Sequence, residues 1–400
     1  MDITDILKNF ADAVFGSVMA LTWIEAVKMI VMWILGGLLI YLAIKREMEP
    51  ALLLPMGFGA ILVNLPFSGV LDLINNSTGE VLEPGVLDVL FKTGIANELL
   101  PLLLFIGIGA MCDFGPLLVN PKLMLFGAAA QFGIFVTILL ACGINLIFPG
   151  VFSIQDAAAI GIIGAADGPT SIFVANYFDT KYMGAILVAA YSYMALVPII
   201  QPPCIKLITT KKERLIRMPY GTNQVKKSTK IIFPIVVTIV AGLIAPKSVG
   251  LVGFLMFGNL IRECGVLGSL SDTAQNALAN LITILLGITV AVKMQADSFL
   301  TVQTFLILIL GLFAFIFDTF GGVMLAKLIN LFAKNKINPM IGACGISAFP
   351  MSSRVVHKMG IKEDPHNFLL MHAAGVNVSG QIASVIAGGL VVKLVDMIIK

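Results

Sequence analysis

Twelve apolar runs follow one another between residues 26 and 395, with only short polar stretches between them. They fall near 26–44, 51–66, 98–113, 122–148, 153–178, 182–209, 231–246, 248–263, 280–297, 302–332, 338–356 and 366–395. A membrane-spanning helix needs about 20 apolar residues, and fewer when packed among other helices. No soluble fold has room for twelve such runs. The composition agrees: 58% of the 400 residues are hydrophobic and 12% are charged, against roughly 25% charged in a soluble domain. A cytosolic enzyme, a nucleic-acid binder and a disordered chain are excluded. The net charge of +3 selects no partner. Five scattered cysteines with no CxxC spacing read as small core residues, not as disulfides or a metal site.

Charge divides the chain. Residues 1–25 carry Asp2 and Asp5 before any lysine, unlike a cleaved signal with its basic start. Ile3, Ile6, Leu7, Phe10 and Val14 recur at helical spacing. The segment reads as an amphipathic helix on the membrane surface or as an ordinary packing helix. Residues 210–230 hold Lys211, Lys212, Arg214, Arg217, Lys226, Lys227 and Lys230 against Glu213 alone, and the positive-inside rule makes this loop cytoplasmic. A first membrane repeat is therefore expected over 26–209 and a second over 231–400.

Parity then demands a break. Lys45 and Arg46 mark an inside turn, and five apolar runs separate them from the inside loop at 210. Five full crossings would end outside, so one run must enter and return. The run at 153–178 is the candidate, because Gly161, Gly164, Gly168 and Pro169 interrupt it. Non-helical backbone at membrane depth survives only inside the protein or along a watery cavity.

The second half echoes the first. Gly161-Ile-Ile-Gly164-Ala-Ala-Asp-Gly-Pro169-Thr-Ser171 lines up with Gly342-Ala-Cys-Gly345-Ile-Ser-Ala-Phe-Pro350-Met-Ser352. Six runs per half, one of them broken, leave five crossings and make the halves inverted, as in many secondary transporters. The expected fold is an all-α polytopic membrane protein with 10 to 11 transmembrane helices, two inverted repeats and two broken or re-entrant helices.

Ionisable groups at membrane depth mark function. Asp167 sits at the first break, where a carboxylate and freed carbonyl oxygens suit a hard cation such as Na⁺; it is equally placed to cap the helix resuming after Pro169. Arg354 follows the second break, where a guanidinium needs an anion or snorkels to the interface. Asn338 and Asn377 offer neutral oxygens, and Asn338-Pro339 can simply start a helix. Tyr193 is an interface anchor or a proton donor. Asp113 and Asp318 read as caps. The residues alone reach a cation-coupled membrane protein with two broken helices.

Two stretches carry a resemblance. Gly164-Ala-Ala-Asp167-Gly-Pro-Thr170 and Asn338-Pro-Met-Ile-Gly342-Ala-Cys-Gly-Ile-Ser347-Ala-Phe-Pro-Met-Ser-Ser-Arg354-Val-Val-His357 resemble the signature stretches of the beta subunit of sodium-pumping biotin-dependent decarboxylases. Leu53-Leu-Pro-Met-Gly57-Phe-Gly-Ala-Ile-Leu62 and Ile106-Gly-Ile-Gly-Ala-Met-Cys-Asp113-Phe-Gly-Pro-Leu-Leu-Val-Asn120-Pro-Lys122 extend the likeness over nearly the whole chain from about residue 26. The resemblance implies a carboxybiotin decarboxylase subunit that exports Na⁺ and consumes a proton, in the inner membrane of a prokaryotic cell. It implies Na⁺ ligation by Asp167, Asn338 and Asn377, with Ser347 joining a Na⁺ site or a proton path. Tyr193 takes the place of a functional tyrosine, Arg354 is assigned to the carboxybiotin carboxylate, and Gly342 permits close backbone approach. Biotin is implied on a partner subunit and not covalently on this chain. Implied partners are a biotin-carrier protein, a carboxyltransferase, a small single-span membrane subunit and further copies in an oligomer, with no nucleic acid. A Na⁺-coupled carboxylate transporter and a non-catalytic membrane anchor are the competing readings.

Overall fold

The structure, a computed structural model, describes residues 21–47, 49–66, 68–75, 80–219 and 225–399. The helix expected in the first 25 residues lies almost entirely outside them. The described chain is nearly all helix. Its main elements are α1 (Trp23–Arg46), α2 (Pro50–Val63), α3 (Leu99–Met111), α4 (Phe132–Ile147), α5 (Ile154–Gly161), α6 (Gly168–Tyr177), α7 (Met183–Ile208), α8 (Lys227–Ile244), α9 (Val249–Cys264), α10 (Ala279–Val290), α11 (Val302–Phe332), α12 (Met351–Glu363) and α13 (Leu370–Ile399). One small antiparallel pair joins Leu73–Ile74 to Val81–Glu83.

Seven helical stretches among the described residues are long and apolar enough to span a bilayer, or eight if the bent pair Val86–Ile95 and Leu99–Met111 is one span. Two shorter apolar stretches, Pro50–Val63 and Ile154–Ala165, accompany them. The chain is thus an all-α multi-pass membrane protein. The count falls below the 10 to 11 expected because several apolar runs form short or interrupted helices rather than single long ones. The exposed face of α8 shows why water is not its solvent: the large apolar residues Ile232, Ile235, Ile239 and Leu243 recur along it, each about half exposed or more.

Two compact units divide the chain. One comprises residues up to Asn97 together with Ile284–Val302; the other comprises Glu98–Thr283 and Gln303–Lys400. In the first, α1 starts with a capping box, in which Thr22 and Glu25 satisfy each other's backbone amides. It packs on α2 through Gly36 and Gly57, where a Cβ on Gly36 would stand 2.7 Å from the Gly57 carbonyl oxygen. Asn64 ties this hairpin to Met294 and Ala296 with two 2.8 Å hydrogen bonds.

The second unit holds both breaks. The run at 153–178 opens as α5 under a Ser153–Asp156 capping box. It tightens to a 3₁₀ turn over Ile162–Ala165, reverses at left-handed Ala166 (φ 58°) and resumes as α6. The run at 338–356 is a 3₁₀ segment over Pro339–Gly345, then extended chain through Ile346, then α12. Gly342 lies so close to Gly322 of α11 that a methyl on either would occupy the other's backbone. Only glycine permits that approach.

The basic loop closes one end of this unit. Arg214 bonds Glu363 at 2.8 Å and Lys327 approaches Glu213 at 3.3 Å. Arg217 bonds Asp364 at 2.5 Å. These pairs fasten residues 213–217 to the ends of α11 and α12.

Candidate functional site

Asp167 has extended backbone (φ −139°, ψ 133°) and precedes α6 as its N-cap. Its Oδ1 accepts the Thr170 amide at 2.6 Å, and its Oδ2 accepts the Thr170 hydroxyl at 2.8 Å. Capping and burial coincide here, since the residue is only 4% exposed. Ser384 of α13 donates a third hydrogen bond to Oδ2 at 2.9 Å. Ser347 lies 2.9 Å from the Ser384 oxygen, and either hydroxyl can donate in that pair; Ser384 also reaches the Gln381 carbonyl at 3.1 Å. A relay runs Ser347 to Ser384 to Asp167.

The opposing break is fixed to the first one directly. The Ser347 amide donates to the Ala165 carbonyl at 3.2 Å. Gln381 donates to the Ser347 carbonyl. Asn377 donates to the carbonyls of Cys344 (3.2 Å) and Ile346 (2.7 Å). Gln201 of α7 and Ser352 share the Ala343 carbonyl and bond each other. Extended and 3₁₀ backbone inside an apolar bundle would otherwise strand these carbonyls, each costing about 1–3 kcal/mol.

Several oxygens are left over. Asn377 Oδ1, Gln381 Oε1 and the Tyr191 hydroxyl are buried without a hydrogen-bond partner among the described residues. Tyr191 lies flat against the start of α6, where a Cβ on Gly168 would fall on its ring. Asn377, also on α13, holds the backbone of the opposing break, and Asp167, Ser347 and Ser384 form a set of hard oxygen donors with one negative charge. That chemistry suits a monovalent hard cation better than a transition metal. Among the described residues no cluster of three or more His, Cys, Asp or Glu is placed to hold a metal.

Of the residues singled out from sequence, Asp167, Ser347 and Asn377 gather at this crossing. Gly342 lies behind it, backbone to backbone on Gly322. Asn338 stands at the other end of the 3₁₀ segment. Its side chain caps Met340 at 3.1 Å and donates to the carbonyls of Arg214 and Ile216, both at 2.9 Å. Tyr193 is half-buried and donates to the Leu308 carbonyl of α11, with its ring 6.2 Å from that of Phe315. Arg354 is exposed in the first turn of α12, with no ion pair among the described residues. Asp113 caps locally, accepting the Gly115 amide at 2.8 Å. Asp318 caps too, but across helices. It is fully buried and accepts the Gly133 amide at the start of α4 at 2.7 Å, beside Gly164.

Three participants escaped the sequence reading. Ser384 and Gln381 were legible in principle: residues 377, 381 and 384 fall on one helical face, a polar stripe in an otherwise apolar helix. Tyr191 was not, since nothing in the sequence separates it from Tyr193.

Residues 28–395 match the family described as Na⁺-transporting oxaloacetate decarboxylase beta subunit. The chain belongs to this family. It is 50% identical to the methylmalonyl-CoA decarboxylase subunit beta of Propionigenium modestum, over 91% of this chain and 94% of that one. It is 48% identical to the glutaconyl-CoA decarboxylase subunit beta of Acidaminococcus fermentans, over 94% of each. Against the oxaloacetate decarboxylase beta chain of Haemophilus ducreyi it is 45% identical, over 92% of this chain and 95% of that one. The protein is thus a membrane beta subunit of the Na⁺-transporting decarboxylases, and the beta designation makes it one part of a multi-subunit complex.

Proposed function

We propose that this chain decarboxylates carboxybiotin and couples that reaction to Na⁺ export, with one proton consumed per CO₂ released. The observation that carries the proposal is the buried Asp167 carboxylate at the meeting of two helix breaks, beside the hydroxyl oxygens of Ser384 and Ser347. Na⁺ is the cargo, held by Asp167 with Ser347, Asn377 and Ser384. Asn338 serves the site from the far end of its segment, by setting where the 3₁₀ turn begins.

Biotin, carried by a partner subunit, supplies an N-carboxyl group that leaves as CO₂ once the ring nitrogen is protonated. Arg354 is an exposed guanidinium without a carboxylate of its own, and it fits that carboxyl group by charge and fork geometry. Tyr193, anchored on the Leu308 carbonyl, and the Ser347–Ser384 relay are assigned to proton delivery. Loss of the substrate's negative charge changes which state of the site is favoured, and release of Na⁺ follows from that difference. The two breaks are the counterparts of inverted repeats, 26–209 and 231–400. Partners are a biotin-carrier protein, a carboxyltransferase and a small single-span membrane subunit, with the whole assembled as an oligomer. Similarity is nearly even across relatives named for three different carboxyl donors, so the choice of donor rests with the carboxyltransferase.

The test is reconstitution of the complex in vesicles with ²²Na⁺. Wild type is expected to take up Na⁺ in step with CO₂ release, and Asp167→Asn to do neither. Undiminished Na⁺-dependent decarboxylation by Asp167→Asn would remove this carboxylate from the reaction.

A further inference from the structure

Beside the last turns of α11, a cleft of about 550 Å³ is lined by Lys212, Lys327 and Lys336 together with Glu213 and the apolar Ile216, Met324, Leu328 and Leu331. A second cleft of about 560 Å³ runs along α4 and α11 and is lined by Phe132, Phe135, Phe320, Gly321, Met324 and Leu328. The two share Met324 and Leu328, so they adjoin along α11. One end is basic and the other is apolar and aromatic.

The helix geometry explains why they adjoin. Phe320, Met324, Leu328 and Leu331 recur every three or four residues and so line one face of α11. All four are exposed large hydrophobics, and Leu331 is 76% exposed. The face ends where the basic loop folds over α11. Three lysines against Glu213 leave this end with a net positive charge. Lys327 is already engaged, with Glu213 at 3.3 Å and the Ile208 carbonyl at 3.0 Å. Lys212 and Lys336 are exposed and have no ion pair among the described residues.

We infer that this groove is a binding site for an anionic phospholipid. The phosphate lies between Lys212 and Lys336, with Lys327 at the back, and one acyl chain follows Leu331, Leu328, Met324 and Phe320 along α11. Charge selects the occupant. An apolar face without the lysines would take any lipid, and lysines without the groove would attract only a diffuse counterion layer. A basic pocket at the end of a membrane helix, on the side marked by the positive loop, is where anionic headgroups concentrate. The inference requires only that the chain is a multi-pass membrane protein and is independent of the proposed reaction.

The test is native mass spectrometry of the full chain in mild detergent, titrated separately with phosphatidylglycerol and phosphatidylcholine of identical acyl chains. Wild type is expected to retain one phosphatidylglycerol about tenfold more tightly than phosphatidylcholine, a preference set by the two free lysines. Lys212→Ala/Lys336→Ala should abolish the preference while leaving weak binding of both lipids. Leu328→Trp should weaken both lipids alike by filling the groove. Equal affinity for the two lipids in wild type, or a preference that survives the double lysine substitution, would overturn the inference. So would displacement of the bound lipid by the small membrane subunit of the complex, which would assign the groove to a protein helix. Both lysines are exposed, so their replacement leaves the packed interior intact.

Discussion

The two breaks in the second unit solve one problem in different ways. The first puts an acid at the discontinuity. Asp167 caps α6, and the chain is helical again within one residue of it. The second carries no acid. Its 3₁₀ run and extended residues depend on neutral amides from other helices, namely Asn377 and Gln381 of α13 and Gln201 of α7. One break therefore contributes charge, and the other contributes backbone held in place by neutral side chains. Helix α13 serves both, with Ser384 on the first and Asn377 and Gln381 on the second. A cation bound between them would feel one formal charge and several dipoles. Such a seat holds the cation less tightly than two opposed carboxylates would, and leaves no pair of like charges to repel each other when the cation departs.

The largest effect expected from breaking this asymmetry comes at Asp167. Asp167→Asn keeps the shape and most capping contacts but removes the charge. Na⁺-dependent decarboxylation by the reconstituted complex should fall by at least about 100-fold, the upper end of what losing even an outer-shell partner of a metal ion costs. Next come the close approaches. Gly342→Ala forces a methyl into the Gly322 backbone, whereas Gly164→Ala meets the end of the Asp318 side chain, 2.6 Å away, instead of backbone. Overpacking of about 3 kcal/mol is expected at Gly342 and clearly less at Gly164, read as the order of thermal unfolding in detergent. Equal losses would mean that the second break is no more tightly seated than the first.

Smaller effects sharpen the roles on α13. Asn377→Leu strands two carbonyls and should destabilise by roughly 1–3 kcal/mol. Ser384→Ala removes one donor from Asp167; it should lower stability by about 1 kcal/mol and raise the Na⁺ concentration needed for half-maximal activity about tenfold. A Ser384→Ala enzyme with unaltered Na⁺ dependence would separate the relay from the ion. The smallest effect lies outside the membrane, at Asp364. The hydrogen bond from the Arg217 guanidinium, followed by that from the His366 amide, holds this carboxyl below its ordinary value of 3.8. A lowered folded value means that the contribution is complete above pH 4 and is lost only as acid drives the pH down through the depressed value. Limited proteolysis of the basic loop should thus be modestly faster in Asp364→Asn than in wild type at pH 7, and the difference should fade as the pH falls through the depressed value.

The first break was legible because its signals are local. Glycines at 161 and 164, a proline at 169 and one acid between them admit few readings, and the structure has the discontinuity there. The second was legible through its likeness to the first. Asp318 was readable as a cap but not as a cap for α4, because its acceptor role is played on Gly133, 185 residues away in the chain. The tyrosines show the same limit. Residues 191 and 193 are separated by about 200° around α7, and only packing decides that Tyr191 meets Gly168 while Tyr193 turns to Leu308. Which apolar stretches form one long helix was not legible, because hydropathy registers an apolar stretch without registering where it bends.

The contact between Gly322 and Gly342 has a mechanical side. Surfaces that interlock through side chains must unmesh before they can slip, and each rotamer change adds to the barrier. Here two glycines put peptide backbone against peptide backbone, with no side chain between them. Such a contact refuses added bulk on either side, so the 339–345 segment is held against α11 at fixed depth, while the amides of Gln201 and Asn377 fix it lengthwise.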